Sequence, residues 1–239
     1  MLEEWQHLRK NEQTKNKMKT MIKSLILGTA MVGVAGIANA IPTLYVSTTG
    51  LAGSYTAVAT SATGAINYTG TEGVWNLFIS TGLTPPSTGT ASAPSFTIGI
   101  TGTSTAAGSL WIGLADTGYI DASGSIMANI TGHVVSGAAE SYLFETFADT
   151  SNAQPTTTLP TGTVITTLSG AVPVSTTATG SLPSIIPNTL GEILEITAAG
   201  ATSTSVDASF SPVPDGGATA LLLGAALSGL ALLKRKVIA

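Results

Sequence analysis

Few side chains in this sequence could do chemistry. His133, in Thr131-Gly132-His133-Val134-Val135, is the one histidine beyond residue 40, and there is no cysteine. Thiol nucleophiles, iron–sulfur ligation and the usual zinc sites therefore fall away together. Serines are plentiful, but no Gly-x-Ser-x-Gly elbow accompanies them, so His133 reads as an ordinary surface histidine and no catalytic triad is assigned. Two acid pairs are spaced for acid–base work: Asp116 with Asp121, and Glu192 with Glu195. A glycosidase uses two carboxylates in this way. Aromatic residues, which line sugar-cleaving clefts, make up only 5% of the chain, so both pairs read as solvated turn acids. Asp116 and Asp121, with carbonyls of the Asp116-Thr117-Gly118 turn, are also candidate calcium ligands, although their spacing is not that of an EF-hand loop. No catalytic or cofactor-binding residue is assigned, no cofactor is expected, and the protein reads as no enzyme.

The charges set a wider bound. Charged residues are 9% of the chain, against roughly 25% in ordinary soluble domains. Every Lys and Arg lies near a terminus, between Arg9 and Lys23 or at Lys234, Arg235 and Lys236. From Ile41 to Leu233 there are acids only. A phosphate backbone is held by Lys and Arg, so nucleic acid is excluded as a partner of this stretch. Apolar residues are 44% of the chain, which argues for an ordered domain rather than a disordered one.

The elements that would position these residues read as strands. Val74–Ile79 is an apolar run between glycines. Phe96, Ile98 and Ile100 share a face, as do Leu110, Ile112 and Leu114; Ile126, Ala128 and Ile130; and Tyr142, Phe144 and Thr146. Glu192–Ile196 and Val206–Phe210 complete the set. Turn clusters at Thr81-Gly82, Thr84–Ser87, Asp116–Gly118, Ala122–Gly124 and Thr131-Gly132 fall between them. The expected fold is all-β: an antiparallel, jelly-roll-like β-sandwich over residues 41–210, flanked by an N-terminal signal helix and a C-terminal transmembrane helix. Part of residues 154–187, a stretch with threonine runs and five prolines, reads as a long loop or weakly paired edge, with a strand at Val164–Leu168. Trp75 and Trp111 read as core residues. If Trp75, Trp111 or Tyr119 were exposed together on one face, they would instead favour a carbohydrate-binding module.

The two ends are the most informative parts. Lys19 and Lys23 precede an apolar run from Ser24 to Ile37, and Ala38-Asn39-Ala40 follows. This is the layout of a secretory signal peptide cleaved after Ala40, with Ala38 and Ala40 as the signal peptidase site. Residues 1–17, polar and mixed in charge, read as a start assigned too early. At the other end, residues 211–239 divide into Val213-Pro214-Asp215-Gly216-Gly217, an apolar run from Ala218 to Leu233, and the basic tip Lys234-Arg235-Lys236. As a helix the apolar run spans about 24 Å, slightly short of a bilayer core of roughly 30 Å. The basic tip would stay cytoplasmic and leave the β-domain outside. Pro214 keeps Val213 extended, as a protease target must be.

This three-part C-terminus resembles the PEP-CTERM class of exosortase sorting signals, closest to its VPDSG-type variant, with Gly216 where that pattern has Ser. The resemblance implies an exosortase-type membrane transpeptidase as partner, after the export machinery and signal peptidase. It also implies transient anchoring in the membrane and a final place at the cell surface or outside the cell. The strand from Leu110 into Asp116–Tyr119, the Phe147–Asn152 segment and the late strand at Ser205–Asp207 resemble PEP-CTERM ectodomains, which implies a sandwich and no activity. The expected function is a structural protein of the cell surface or extracellular matrix, associated with exopolysaccharide and biofilm. The alternatives are a carbohydrate-binding module and a secreted glycan hydrolase.

Overall fold

Alternating side chains and β-branched residues make strands of most of the chain, and the computed structural model pairs them in two antiparallel sheets. It describes residues 41–83, 94–119, 124–183 and 188–213, together with Leu223, Gly224, Ala226 and Leu227 in helical conformation. The twelve strands are β1 (Thr43–Ser47), β2 (Thr56–Thr60), β3 (Tyr68–Glu72), β4 (Trp75–Leu83), β5 (Phe96–Ser104), β6 (Gly108–Tyr119), β7 (Gly124–Gly137), β8 (Glu140–Asp149), β9 (Thr163–Ala171), β10 (Val174–Leu182), β11 (Asn188–Ala198) and β12 (Thr202–Pro212).

The first sheet runs β2-β1-β6-β11-β8-β9 and the second β10-β7-β12-β5-β4-β3. From β5 onward the chain passes back and forth between them. This gives the interleaved orders β6-β11-β8-β9 and β5-β12-β7-β10, two Greek keys wrapped as a jelly roll. β1 and β2 widen the first sheet beyond β6, and β4 and β3 widen the second beyond β5.

The period of two decides the core. Phe96, Ile98 and Ile100 meet Leu110, Ile112 and Leu114 across the sandwich, with Ile126, Ala128, Ile130, Phe144, Leu194, Val206 and Phe210 completing the apolar layer. Phe96 stacks on Phe210 with ring centroids 4.6 Å apart and meets Tyr119 at 5.6 Å. The face-sharing sets expected from the sequence all point inward.

The expected turns need correction. Thr81-Gly82 lies within β4, Asp116–Gly118 within β6 and Thr131-Gly132 within β7, so these are strand residues rather than turns. Long strands tolerate Gly and Thr when both neighbours supply ladder bonds, as β11 does for β6 and β12 for β7. Within residues 154–187 the expected strand at Val164–Leu168 is part of β9, and the edge reading holds, since β9 and β10, joined at Val172-Pro173, are edge strands of the two sheets. The inward residues of β10 are Val174, Thr176, Ala178, Gly180 and Leu182, too small and mixed to print an apolar alternation. The flanking helices, and with them Ala38, Ala40 and the 218–233 run apart from four residues, lie outside the described residues. Among those described, no helix is long and apolar enough to cross a membrane.

Candidate functional site

The outer face of the first sheet differs from a plain solvent face. Side chains that alternate with the core there fall in rows set by the ladder register. One row is Ser47, Trp111, Glu195, Leu143 and Ser169, and the next is Tyr45, Gly113, Ile193, Glu145 and Thr167. Glu145 and Glu195 thus lie on a diagonal of adjacent strands, roughly 7–8 Å apart at the backbone. They come from β8 and β11 and are brought together only by pairing.

Two connections fold over this face. The β8–β9 segment, residues 150–162, is tied down along its length. Gln154 Nε2 donates to Tyr45 Oη at 3.1 Å and to the Ala115 carbonyl at 3.0 Å. Tyr45 in turn donates to the Pro155 carbonyl. Thr189 Oγ1 donates to the Ala153 carbonyl at 2.9 Å, and Asn152 Oδ1 accepts the Gly118 N–H at 2.7 Å. The β1–β2 connection joins it, the N–H groups of Gly53 and Tyr55 both donating to the Thr157 carbonyl. Beneath these straps lies a second small core of Tyr45, Tyr55, Ala115, Phe147, Leu159 and Ile193, with Trp111 packed against it. Two glycines permit the fit. A Cβ on Gly113 would collide with Leu159, and Gly50, at φ +65°, brings its backbone against the Trp111 indole, where a Cβ would lie 2.5 Å from Cε2.

Between the straps a cavity of about 100 Å³ remains open, walled by Trp111, Tyr55, Leu143 and Pro160, with Glu145 and Glu195 on its floor. Glu195 accepts from Thr197 Oγ1 at 3.1 Å and Glu145 from Thr167 Oγ1 at 3.4 Å. Tyr55 is only 3% exposed as a residue, and its hydroxyl, which makes no hydrogen bond to a described residue, is not sealed from solvent. Burial pushes its pKa up to about 12, with the negative charges of Glu195 and Glu145 adding to the effect. The phenol is therefore a proton donor at any physiological pH. Two acceptors, one donor and an indole surround a small space in a domain without a basic side chain.

The other sequence candidates are dispersed. Trp75 is fully buried in the main core as expected, and so is Tyr119, whereas Trp111, also expected in the core, stands half-buried on the outer face; the three aromatics therefore form no exposed platform. Glu192 and Glu195 are three apart in one strand and point to opposite faces. Reading both as turn acids is corrected: Glu192 is fully buried between the sheets, opposite Leu114 and Thr146, with neither carboxylate oxygen hydrogen-bonded. Burial drives its pKa well above the carboxylate range. Asp116 is buried, accepting from the Thr117 N–H at 2.8 Å and from Tyr119 Oη at 3.1 Å. Burial, reinforced by Asp116, holds the Tyr119 phenol well above its ordinary pKa. Asp121, the second candidate calcium ligand, lies outside the described residues, and no cluster of three metal-ligating side chains occurs among those described. His133 is exposed on β7.

Period-two parity could have found Trp111 in β6, Glu145 in β8 and Glu195 in β11 as outward residues. Nothing local could have found that they meet. Val213, the first sorting-motif residue, follows β12 directly and donates its N–H to the Ser125 carbonyl at 2.8 Å. Pro214, Asp215, Gly216, Gly217, Lys234, Arg235 and Lys236 lie outside the described residues.

Residues 212–237 match the VPDSG-CTERM motif, so the chain carries a PEP-CTERM-like C-terminal sorting signal, the mark of an exported, surface-associated protein. No curated protein matches the chain. Among solved structures it is similar to TmCBM61 in complex with beta-1,4-galactotriose, at 4% identity and a TM-score of 0.32, over 57% of this chain and 86% of that one. It is also similar to the CBM22-1–GH10 modules of Clostridium thermocellum endo-1,4-beta-D-xylanase 10B complexed with xylohexaose, at 12% identity and a TM-score of 0.29. That match covers 72% of this chain and 29% of the other.

Proposed function

We propose that this protein is a non-catalytic structural component of the cell surface or extracellular matrix, associated with exopolysaccharide. It is exported through a signal peptide cleaved after Ala40 and then processed at its C-terminal signal by an exosortase-type transpeptidase. The observation that carries this reading is the sorting-signal match at 212–237, which begins on the last residue of β12. A folded β-domain ending where the signal begins suits a cargo whose whole ordered part is delivered intact. The polar, nearly uncharged Thr/Ser faces suit a hydrated polymer layer, because hydroxyls exchange hydrogen bonds with polyols without large desolvation costs.

Intact-mass analysis of the native protein, in membrane and medium fractions separately, tests the delivery. The expected species begins at Ile41 and ends within 213–217. A chain still running to Ala239 in the membrane fraction would overturn the sorting step and leave a simple anchored protein. Incubation with glycan oligomers tests the non-catalytic part, and release of shortened products would overturn it.

A further inference from the structure

We propose that the strapped pocket on the outer face of the first sheet is a binding site for an ammonium-bearing sugar, a hexosamine unit of a glycan chain. The inference adds a ligand to the extracellular placement proposed above and rests on that placement for access to the glycan. Its chemistry comes from the pocket alone.

Three observations converge. First, Glu145 and Glu195 lie on one diagonal with no cationic side chain anywhere from Ile41 to Leu233 to balance them. An arriving ammonium would meet two carboxylates with which it can form charge-assisted hydrogen bonds, the stronger kind. Second, Trp111 forms a wall of the same pocket and is covered on one side by the Gly50 backbone, which fixes the indole in place. An indole attracts both a cation and the C–H face of a sugar ring. Third, the Tyr55 side chain is held almost wholly buried in the pocket wall while its hydroxyl, bonded to no described residue, stays open to the pocket and free to donate to a ligand acceptor.

The mixture of groups selects among cations. A lysine side chain brings donors only, so it would satisfy the two carboxylates and leave the Tyr55 O–H without an acceptor. A hexosamine carries donors in its ammonium and acceptors in its hydroxyl and ring oxygens, and it serves all three groups at once. Metal ions would use the carboxylates but not the indole. The cavity, about 100 Å³, admits the amine-bearing edge of one ring while the remainder of the chain lies across the sheet. Polymers rich in uronic acid would be repelled by the same charges.

Calorimetric titration of the full chain, held in a detergent without sugar headgroups, tests this in mildly acidic, low-salt buffer. The probes are tetramers of β-1,4-linked glucosamine, N-acetylglucosamine and glucose, and tetralysine. The expected result is binding of the glucosamine tetramer that weakens as salt rises, with the acetylated and neutral tetramers at least about ten-fold weaker. Glu145→Gln and Glu195→Gln should each weaken binding about ten-fold, and Tyr55→Phe by a smaller factor, with unfolding temperatures unchanged. Loss of glucosamine binding in Trp111→Ala would be read only beside these conservative variants, since that change also opens a void. No binding of the glucosamine tetramer, equal binding of the glucose tetramer, tighter binding of tetralysine, or no effect of the paired Glu→Gln changes would each overturn the proposal. Any of these would leave the delivery reading intact, because that is decided by the termini of the native protein.

Discussion

The two outer faces of the sandwich are made from strands of similar length and composition, yet they have different fates. On the second sheet, Thr97, Thr101 and Thr103 of β5, Ser205, Asp207 and Ser209 of β12, and Ser175, Thr177 and Thr179 of β10 stay exposed or half-exposed. Even Phe78 stands 49% open to solvent there. On the first sheet the corresponding layer holds Tyr45, Phe147 and Ile193, all buried under two straps. A phenylalanine on one outer face is therefore core, and on the other it is surface. The connections make the difference, because an outward apolar residue becomes structural only when a segment with its own apolar side chains, here Leu159 and Tyr55, is tied down over it.

The sharpest way to break that contrast is to truncate both phenylalanines. Phe147→Ala should cost about 3–5 kcal/mol, lowering the unfolding temperature by roughly 10 °C, while Phe78→Ala should stay within about 0.5 kcal/mol. Chemical denaturation of the two variants side by side reads this. Equal losses would mean that the strap does not build a second core.

Glu192 contrasts the interior with both faces. Its ordinary pKa is near 4.5 and burial raises the folded value well above that. The folded state therefore keeps a proton that the unfolded chain releases, and stability falls as pH rises from about 4.5 through the folded pKa, then levels off. Glu192→Met, similar in volume and without polar atoms, should gain about 1–3 kcal/mol at pH 8 and lose most of that advantage near pH 4. A gain independent of pH would show that the carboxyl is not titrating in place.

The straps themselves answer to a smaller change. Gln154→Ala removes the donor to Tyr45 and to the Ala115 carbonyl, at a cost of about 1–2 kcal/mol. Amide exchange in residues 150–162 should accelerate well beyond the change in global stability, because the segment opens before the sheets do. On the other face, Ser205→Thr should shift stability by less than about 0.5 kcal/mol, and a larger effect would mean that this carpet is covered in the native protein.

Much of the architecture was open to reading in the residues. The inward sets of β5, β6, β7, β8 and β12 follow from alternation, since one strand has only two faces and the apolar one must be buried. β10 escaped because its inward residues are mostly Thr, Ala and Gly, which look alike on either face, whereas Val164–Leu168 marked part of β9. Glu192 escaped for the opposite reason: a carboxylate reads as surface wherever it occurs, and only the parity of Leu190, Leu194 and Ile196 around it betrays its direction. The sorting motif needed no fold to be seen, because the order of its residues alone marks it.

By itself, then, the sequence determined strand content, the acidic and cation-free character of the domain, and the signal at its C-terminus, because all three are local properties of short segments. The tertiary structure alone decided that Glu145 from β8, Glu195 from β11, Trp111 from β6 and Tyr55 from the β1–β2 connection share one pocket. Strand pairing joins residues tens of positions apart by hydrogen bonds between backbones that are the same for every side chain. No local pattern encodes that register; it is set by packing the two sheets together.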